Sequence, residues 1–326
     1  MTPTLEVRDV SVQIRVPGGR QIQAVDRVSF AVDRGETLAV VGESGCGKTM
    51  LAMAILGLLP SGGEITSGAV LLDGVDVRSA GASRMQEIRG KSIGTIFQEP
   101  MTSLNPVTTI GRQIGEVLER HEDMSRADAR ARTIELLALV GIPNPSKRTD
   151  QYPHELSGGM AQRVMIAMAI ACSPRVLLAD EPTTALDVTI HATILRVIDD
   201  LRHRLDMAVV LITHDLGVVA DVADRVMVMY AGRVVEEATV EDLFARPQHP
   251  YTRGLLAAVR HPDRTVPRSR LVEIPGTVPT LFGPATSCAF ALRCPRADDR
   301  CRAEAPRLER VAPGTSVACF HPGPNG

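Results

Sequence analysis

The stretch GESGCGKT, residues 42–49, decides the fold. It fits the pattern G-x-x-x-x-G-K-[ST], in which glycines let successive backbone N–H groups turn inward around phosphate oxygens. A strand-like apolar run, TLAVV, precedes it, and a helix-like segment, AMAILGLL, follows it. Because strand, glycine-rich turn and helix are the context that a phosphate loop requires, the sequence predicts that this segment binds a nucleotide.

Every residue of the loop is a predicted ATP contact: Gly42, Glu43, Ser44, Gly45, Cys46, Gly47, Lys48 and Thr49. In this pattern the lysine reaches the β- and γ-phosphates, and the threonine hydroxyl binds Mg²⁺. Cys46 lies inside the positive field of the loop, which would favour a reactive thiolate. The plainer interpretation is a small side chain that fits a crowded loop.

Further apolar runs continue the strand pattern beyond the loop, at residues 93–97, 176–179, 209–212 and 226–229. A helical segment at residues 190–205 separates two of them. Strands that alternate with helices predict an α/β fold with a mostly parallel sheet. Residues 110–120, 126–140 and 159–171 instead predict consecutive helices, a helical insertion at about residues 109–171.

The composition is that of an ordinary globular chain, with 44% hydrophobic and 23% charged residues among 326 and a net charge of −2. This charge does not favour nucleic acid as a partner, and a 3% aromatic content argues against a base-stacking surface. The N-terminus lacks the pattern of a signal peptide, and no apolar run reaches about 18 residues. We therefore expect a cytoplasmic chain whose cysteines are thiols or metal ligands.

Two further motifs carry charge or bind it. The apolar run VLLA leads into Asp180 and Glu181, where an aspartate helps to hold Mg²⁺ and the following carboxylate polarises the attacking water. About 20 residues earlier, LSGGM places Gly158 and Gly159 at a helix start, which forms a second anion cradle. One ATP molecule does not need two phosphate-binding sites, so we expect the second site to contact ATP held by another subunit.

Together these motifs resemble the ATP-binding cassette family. The resemblance implies an ATPase core with a mostly parallel sheet, an antiparallel β subdomain and a helical subdomain. It also implies that two subunits enclose two ATP molecules head to tail. The implied roles are catalysis by Glu181 and His214, Mg²⁺ binding by Thr49, Gln98 and Asp180, a signature made of Ser157, Gly158 and Gly159 that contacts the partner's ATP, and a D-loop with Asp187.

One departure concerns the base of the nucleotide. The family normally stacks an aromatic ring on adenine, yet the matching stretch QIRVPGG, residues 13–19, contains none. Arg15 or Val16 is expected to substitute for that ring.

Three segments resemble the peptide and nickel import branch of the family: QEPMTSLNP at residues 98–106, HPYTRGLL at residues 249–256, and the tail from residue 276 to 301. We therefore expect a nucleotide-binding domain at residues 1–247 and a C-terminal extension at residues 248–326. The resemblance implies the ATPase subunit of a di- or oligopeptide importer, peripheral to the cytoplasmic face of the inner membrane. Its implied partners are a second cassette subunit, two membrane-spanning permease subunits and an extracytoplasmic binding protein. A nickel importer subunit and a soluble ABC ATPase without a transport role remain alternatives.

The tail is rich in cysteine, with Cys288, Cys294, Cys301 and Cys319 spaced C-x₅-C-x₆-C-x₁₇-C. Four thiolates around one point favour Zn²⁺ or an iron–sulfur cluster. The resemblance implies a 4Fe–4S cluster on these four residues, although Ser287 stands where the branch usually has glycine. Zinc, free thiols and a Cys₃ set completed by His321 stay open.

Overall fold

A computed structural model describes residues 2–183, 188–258 and 274–323 of the chain. Its residues form two compact units. The first unit comprises Met1–Glu6, Ala31–Thr37 and Leu71–Ile212, and the second comprises Val7–Phe30, Leu38–Val70 and Thr213–Gly326. Glu181 belongs to the first unit and Lys48 to the second.

The strands are β1 Leu5–Arg15, β2 Gln21–Val32, β3 Thr37–Val41, β4 Gly63–Leu72, β5 Val75–Asp76, β6 Ile93–Ile96, β7 Val176–Asp180, β8 Ala208–Thr213, β9 Arg225–Tyr230, β10 Arg233–Thr239, β11 Glu309–Ala312 and β12 Thr315–Val317. The helices are α1 Lys48–Leu56, α2 Gly81–Glu87, α3 Pro100–Ser103, α4 Ile110–His121, α5 Arg126–Leu139, α6 Pro145–Arg148, α7 Gly158–Ala169, α8 Val188–Leu205, α9 Leu216–Val222, α10 Val240–Ala245, α11 Pro250–Ala258 and α12 Asp299–Ala303.

Three parallel strands form the sheet of the first unit. β7 pairs with β6 on one side and with β8 on the other, both in parallel. All residues of β7 and β8 are buried. A strand covered on both faces reads as a continuous apolar run rather than as an alternating one, which is why the sequence could identify these strands.

The predicted helical insertion is confirmed. From α3 to α7 the chain forms helices with no strand between them, and all of these residues are described. Ser125 begins α5 by accepting a hydrogen bond from the backbone N–H of Asp128, as expected of an N-cap serine. Helix α7 contacts α3, α4, α5 and β6, so it joins the insertion to the sheet of the first unit.

The second unit combines parallel and antiparallel pairing. β3 pairs with β9 in parallel, whereas β9, β10, β12 and β11 follow one another in antiparallel order. β2, β1 and β4 lie side by side in a separate sheet. Thr239 begins α10 by accepting a hydrogen bond from the N–H of Asp242 at 3.2 Å.

The C-terminal tail shares the core of the second unit. Phe290 is buried in the same cluster as Val41, Tyr230 and Tyr251, and Val278 and Leu281 pack against that cluster. The tail obtains its burial from the cassette strands and from helix α11.

In the part of the chain that the structure describes, no helix has both the length and the apolar character needed to cross a bilayer.

Candidate functional site

The phosphate loop follows the carboxyl end of the buried strand β3 and runs into helix α1. A Cβ atom at Gly42 would lie 2.3 Å from the Met229 carbonyl oxygen, and one at Gly47 would lie 2.3 Å from that of Ala24. Gly47 also adopts a φ of 106°, which L side chains rarely adopt. These two positions therefore require glycine, because the loop passes directly over neighbouring backbone.

Ser44 and Gly45 form the exposed crest of the loop. Behind them, α1 begins without a side-chain cap, so its first N–H groups and its positive dipole end are oriented toward the loop. Exposed backbone N–H groups at the start of a nine-residue helix form an anion site. A triphosphate fits this arrangement.

Lys48 carries the positive charge of this site on a side chain that is nearly buried, with 5% exposed. Its Nζ donates hydrogen bonds to the carbonyl oxygens of Gly42 at 2.7 Å and Glu43 at 3.0 Å. These contacts hold the ammonium group inside the curve of the loop. A phosphate oxygen accepts from such a group more strongly than a neutral carbonyl does, because both partners are charged.

Cys46 is buried under the loop, with 1% of its surface exposed. Burial raises the pKa of its thiol, although the neighbouring Lys48 acts in the opposite direction. A buried, protonated thiol is a poor nucleophile. The structure favours the plainer interpretation, in which Cys46 is a small side chain filling the loop.

Glu43 attaches the loop to the C-terminal extension, a link that sequence reasoning missed. The Glu43 backbone N–H donates to the hydroxyl oxygen of Tyr251 at 2.8 Å. The Arg293 guanidinium donates to both carboxylate oxygens of Glu43, at 2.6 and 3.0 Å. Such a two-bond pair fixes orientation as well as distance. Two residues of the extension therefore hold the second residue of the phosphate loop.

Beneath this attachment, four rings pack together. Tyr230 lies 4.7 Å from Tyr251 and 5.2 Å from Phe290, and His249 lies 5.7 Å from Phe290, measured between ring centroids. Burial raises the pKa of Tyr251, so its hydroxyl stays protonated. In the sequence, the HPYT motif was the feature that could have indicated this ring cluster, because it contains His249 and Tyr251.

In the first unit, the two carboxylates end strand β7 as predicted. Asp180 is buried, with 5% exposed. Glu181 adopts a φ of 47°, an uncommon value for a residue other than glycine. Its carboxylate accepts a hydrogen bond from Gln98 Nε2 at 3.1 Å. The structure thus brings Gln98 to Glu181, across 83 positions of sequence, and backbone strain of this kind clusters at functional sites.

The signature forms the exposed start of helix α7. The Ser157 hydroxyl caps the helix by accepting from the N–H of Met160 at 3.4 Å. Ser157 and Gly158 are exposed, whereas most of the helix behind them is buried. The N-terminus of a twelve-residue helix is open to an anion from outside this chain.

His214 follows strand β8 in the second unit, and its side chain is exposed. The next residue, Asp215, caps helix α9 by accepting from the N–H of Gly217 at 2.9 Å. The predicted D-loop residue Asp187 lies outside the described residues.

The stretch expected to contact the base forms the turn between β1 and β2. The Val16 N–H donates to the carbonyl oxygen of Arg20 at 3.0 Å, which closes the turn. Arg15 is exposed, and Val16 is half-buried. Arg20 lies over the ring of Phe282, a tail residue, at 4.5 Å from the ring centroid.

Comparison with known proteins agrees with this geometry. The sequence profile of the family described as ABC transporter matches residues 25–184, and that of the oligopeptide/dipeptide transporter C-terminal region matches residues 235–301. A probable peptide ABC transporter ATP-binding protein of Sinorhizobium fredii is 53% identical over 319 residues, or 97% of this chain and 94% of that protein. The chain belongs to the ABC transporter family.

Other relatives and structures fit this membership. A dipeptide transport ATP-binding protein of Escherichia coli is 47% identical over 92% of this ABC chain and 91% of that protein. An oligopeptide transport ATP-binding protein of Bacillus subtilis is 52% identical, with 90% and 82% covered. A bacterial ABC transporter cassette solved as a dimer aligns with a TM-score of 0.65 and 28% identity, covering 72% of this chain and 98% of that one.

The prediction of a 4Fe–4S cluster in this ABC protein is wrong. The matched family and relatives are described as ABC transporter and peptide transport ATP-binding proteins, and these descriptions name no iron–sulfur centre. The predicted ligands lie near one another, since Cys294, Cys301 and Cys319 all act on the pKa of Cys288. Among the described residues, the potential ligand atoms that lie within 4.8 Å of one another belong to Asp298, Cys301 and His321.

The tail cysteines instead belong to the packing of the extension. Burial raises the pKa of Cys288 to about 11 and also raises that of Cys301 and Cys319. Thiols whose pKa is raised in this way are protonated at neutral pH. The Cys288 backbone N–H donates to the Cys301 carbonyl oxygen at 2.9 Å, which ties two turns of the tail together.

Proposed function

We propose that this chain is the ATP-hydrolysing subunit of an ABC importer for di- or oligopeptides. The observation that carries the proposal is the match of residues 235–301 to the oligopeptide/dipeptide transporter C-terminal region. The near full-length identity to relatives named as peptide transport proteins supports it.

On this proposal, the second unit binds the phosphates. Lys48 and the N–H groups of residues 42–49 hold the triphosphate, and the Thr49 hydroxyl is placed to bind Mg²⁺ beside it. When bound, MgATP supplies the terminal phosphoryl group that is transferred to water. The buried position of Lys48 keeps water from competing for its protons.

Residues of the later motifs are proposed to supply the remaining groups. Asp180 and Gln98 are the proposed Mg²⁺ ligands, and Glu181 is the proposed base that takes a proton from the attacking water. The hydrogen bond between Gln98 and Glu181 orients the carboxylate. His214, the exposed residue after β8, is proposed to contact the γ-phosphate, and Asp187 to act at the dimer interface.

A second cassette completes the site. Ser157, Gly158 and Gly159 lie at an exposed helix start that suits an anion brought by another subunit. The neighbouring solved cassette is a dimer. We propose that the partner subunit is a different chain of the same family.

The remaining partners follow from the proposed function. An importer requires two permease subunits in the membrane and a binding protein outside it. The chain is proposed to sit on the cytoplasmic face of the inner membrane, attached to those subunits. We also propose the division into a nucleotide-binding domain at residues 1–247, with its helical subdomain at about residues 109–171, and an extension at residues 248–326.

An uptake experiment tests the proposal. Cells that lack the gene and cells that carry it are supplied with radiolabelled dipeptide, tetrapeptide or Ni²⁺. Loss of peptide uptake alone supports the proposal, and a cell with Lys48→Ala should behave as the deletion does. Loss of Ni²⁺ uptake alone would favour the nickel importer, and no change in either would favour an ABC ATPase without a transport role.

A further inference from the structure

The C-terminal tail places an exposed aromatic ring beside the turn between β1 and β2. We propose that Phe282, together with Arg20, forms the surface on which the base of the bound nucleotide stacks. The inference rests on the proposed ATPase function. It adds a contact from the extension that none of the phosphate-binding motifs contains.

The turn itself offers no ring to a base. Residues 16–20 form a closed turn through two backbone hydrogen bonds, Val16 N–H to Arg20 O at 3.0 Å and Gly19 N–H to Val16 O at 3.2 Å. Their side chains include no aromatic group. Bases bind proteins chiefly by stacking on aromatic rings and arginine planes. A platform at this turn must therefore come from another segment.

Strand β2 connects the tail to the phosphate loop. The Gln23 N–H donates to the carbonyl oxygen of Leu281 at 2.8 Å. The next residue, Ala24, has its carbonyl oxygen directly against Gly47. With strand spacings near 4.8 Å and Cα steps of 3.8 Å, Phe282 lies within roughly 18 Å of Gly47 along this path and closer in a straight line. A nucleotide held by the loop can extend toward the ring.

The chemistry of the pair suits a base. Phe282 is 54% exposed and is the only exposed Phe, Tyr or Trp side chain in the described part of the second unit. The guanidinium carbon of Arg20 lies 4.5 Å from the centroid of the Phe282 ring, so the planar guanidinium and the aromatic ring are adjacent. Both stack on the π face of a base. Stacking involves no hydrogen bond to the edge of the base, so the platform binds adenine and guanine alike.

Binding of three ligands to the full chain tests the proposal. MgATP, MgGTP and magnesium tripolyphosphate share the phosphates, but tripolyphosphate has no base. Phe282→Ala should raise the Kd of MgATP and of MgGTP about tenfold, the scale of one base–aromatic stack. It should change the Kd of tripolyphosphate by less than twofold. Phe282→Tyr keeps a ring and should bind both nucleotides as the unaltered chain does.

Leu292→Ala is the matched control, because Leu292 is another tail residue with a large apolar side chain and is 92% exposed. It should leave all three Kd values unchanged. Equal weakening of nucleotide and tripolyphosphate by Phe282→Ala would overturn the platform and assign the ring a structural role. An unchanged Kd for MgATP would also overturn it. Failure of the unaltered chain to bind any of the three ligands would refute the proposed function, and the platform with it.

Discussion

Replacing Arg293 by alanine should separate the C-terminal extension from the phosphate loop. Only 5% of the Arg293 side chain is exposed, while 30% of the Glu43 side chain is exposed. Besides its two bonds to Glu43, the guanidinium donates to the carbonyl oxygens of Pro275 at 2.8 Å and Ile274 at 3.0 Å. A fifth bond goes to the hydroxyl oxygen of Tyr230 at 3.4 Å. Arg293→Ala therefore removes five hydrogen bonds and leaves a partly buried carboxylate without its cation.

The size of the effect follows from these contacts. Removing one partner of a buried ion pair costs about 3–5 kcal/mol, because the other charge stays uncompensated. Glu43 keeps some contact with water, so the lower end applies, and we expect a loss of about 3 kcal/mol. For a chain of this size each kcal/mol lowers Tm by about 2 °C, so Tm should fall by roughly 6 °C.

Thermal unfolding followed by circular dichroism measures this loss. Arg302→Ala is the matched control, because Arg302 is also a tail arginine with an acidic partner, yet 59% of its side chain is exposed. Surface changes of that kind stay within about 0.5 kcal/mol. Arg293→Lys keeps the charge but loses the two-bond geometry and should fall between the two. If Arg293→Ala unfolded at the same temperature as Arg302→Ala, the pair would not stabilise the loop and our reasoning would be refuted.

Three further predictions concern chemistry, partnership and pH. Glu181→Gln should keep MgATP binding and reduce hydrolysis in the assembled transporter by about 10²–10⁴-fold, whereas Lys48→Ala should weaken MgATP binding itself. Normal turnover by the Glu181→Gln variant would exclude Glu181 as the base. Gly159→Trp should impair hydrolysis at the partner's ATP site before the site built on Lys48, measured with a hydrolysis-deficient partner, and the opposite order would contradict a shared site. Burial, aided by the charge of Arg253, lowers the pKa of His249 to about 3. As the pH falls, His249 is therefore protonated in the unfolded chain before it is protonated in the folded chain. The free energy of unfolding should decrease from about pH 6.5 toward pH 3 by up to about 1.4 kcal/mol per pH unit. His249→Gln should flatten that slope in urea titrations.

Local features of the chain were readable from the sequence. The phosphate loop and the strand that leads into Asp180 and Glu181 each depend on residues that are neighbours along the chain. Buried parallel strands such as β7 and β8 show as apolar runs, because both of their faces are covered. Their bounds agree with the predicted ones to within about a residue.

The cysteine pattern is a feature whose role the sequence did not determine. The sequence contains four cysteines in one short segment, and the resemblance to the peptide import branch implied a metal centre bound by them. The relatives are described as peptide transport ATP-binding proteins, and these descriptions name no such centre, while burial raises the pKa of Cys288 to about 11. Spacing along a chain does not determine which side chains converge or whether they ionise, because both depend on the surrounding packing.

The sequence by itself determined the family, the phosphate loop and the order of the strands and helices, since these follow from local motifs and apolar periodicity. Only the tertiary structure decided how the tail is used. It joins Arg293 to Glu43 across 250 positions and sets Phe282 against Arg20. No periodicity encodes such pairs, because they form where the rings of Tyr230, Tyr251 and Phe290 bury the tail against the cassette. The physical reason is that burial of apolar surface brings distant segments together, and polar contacts then fix their geometry.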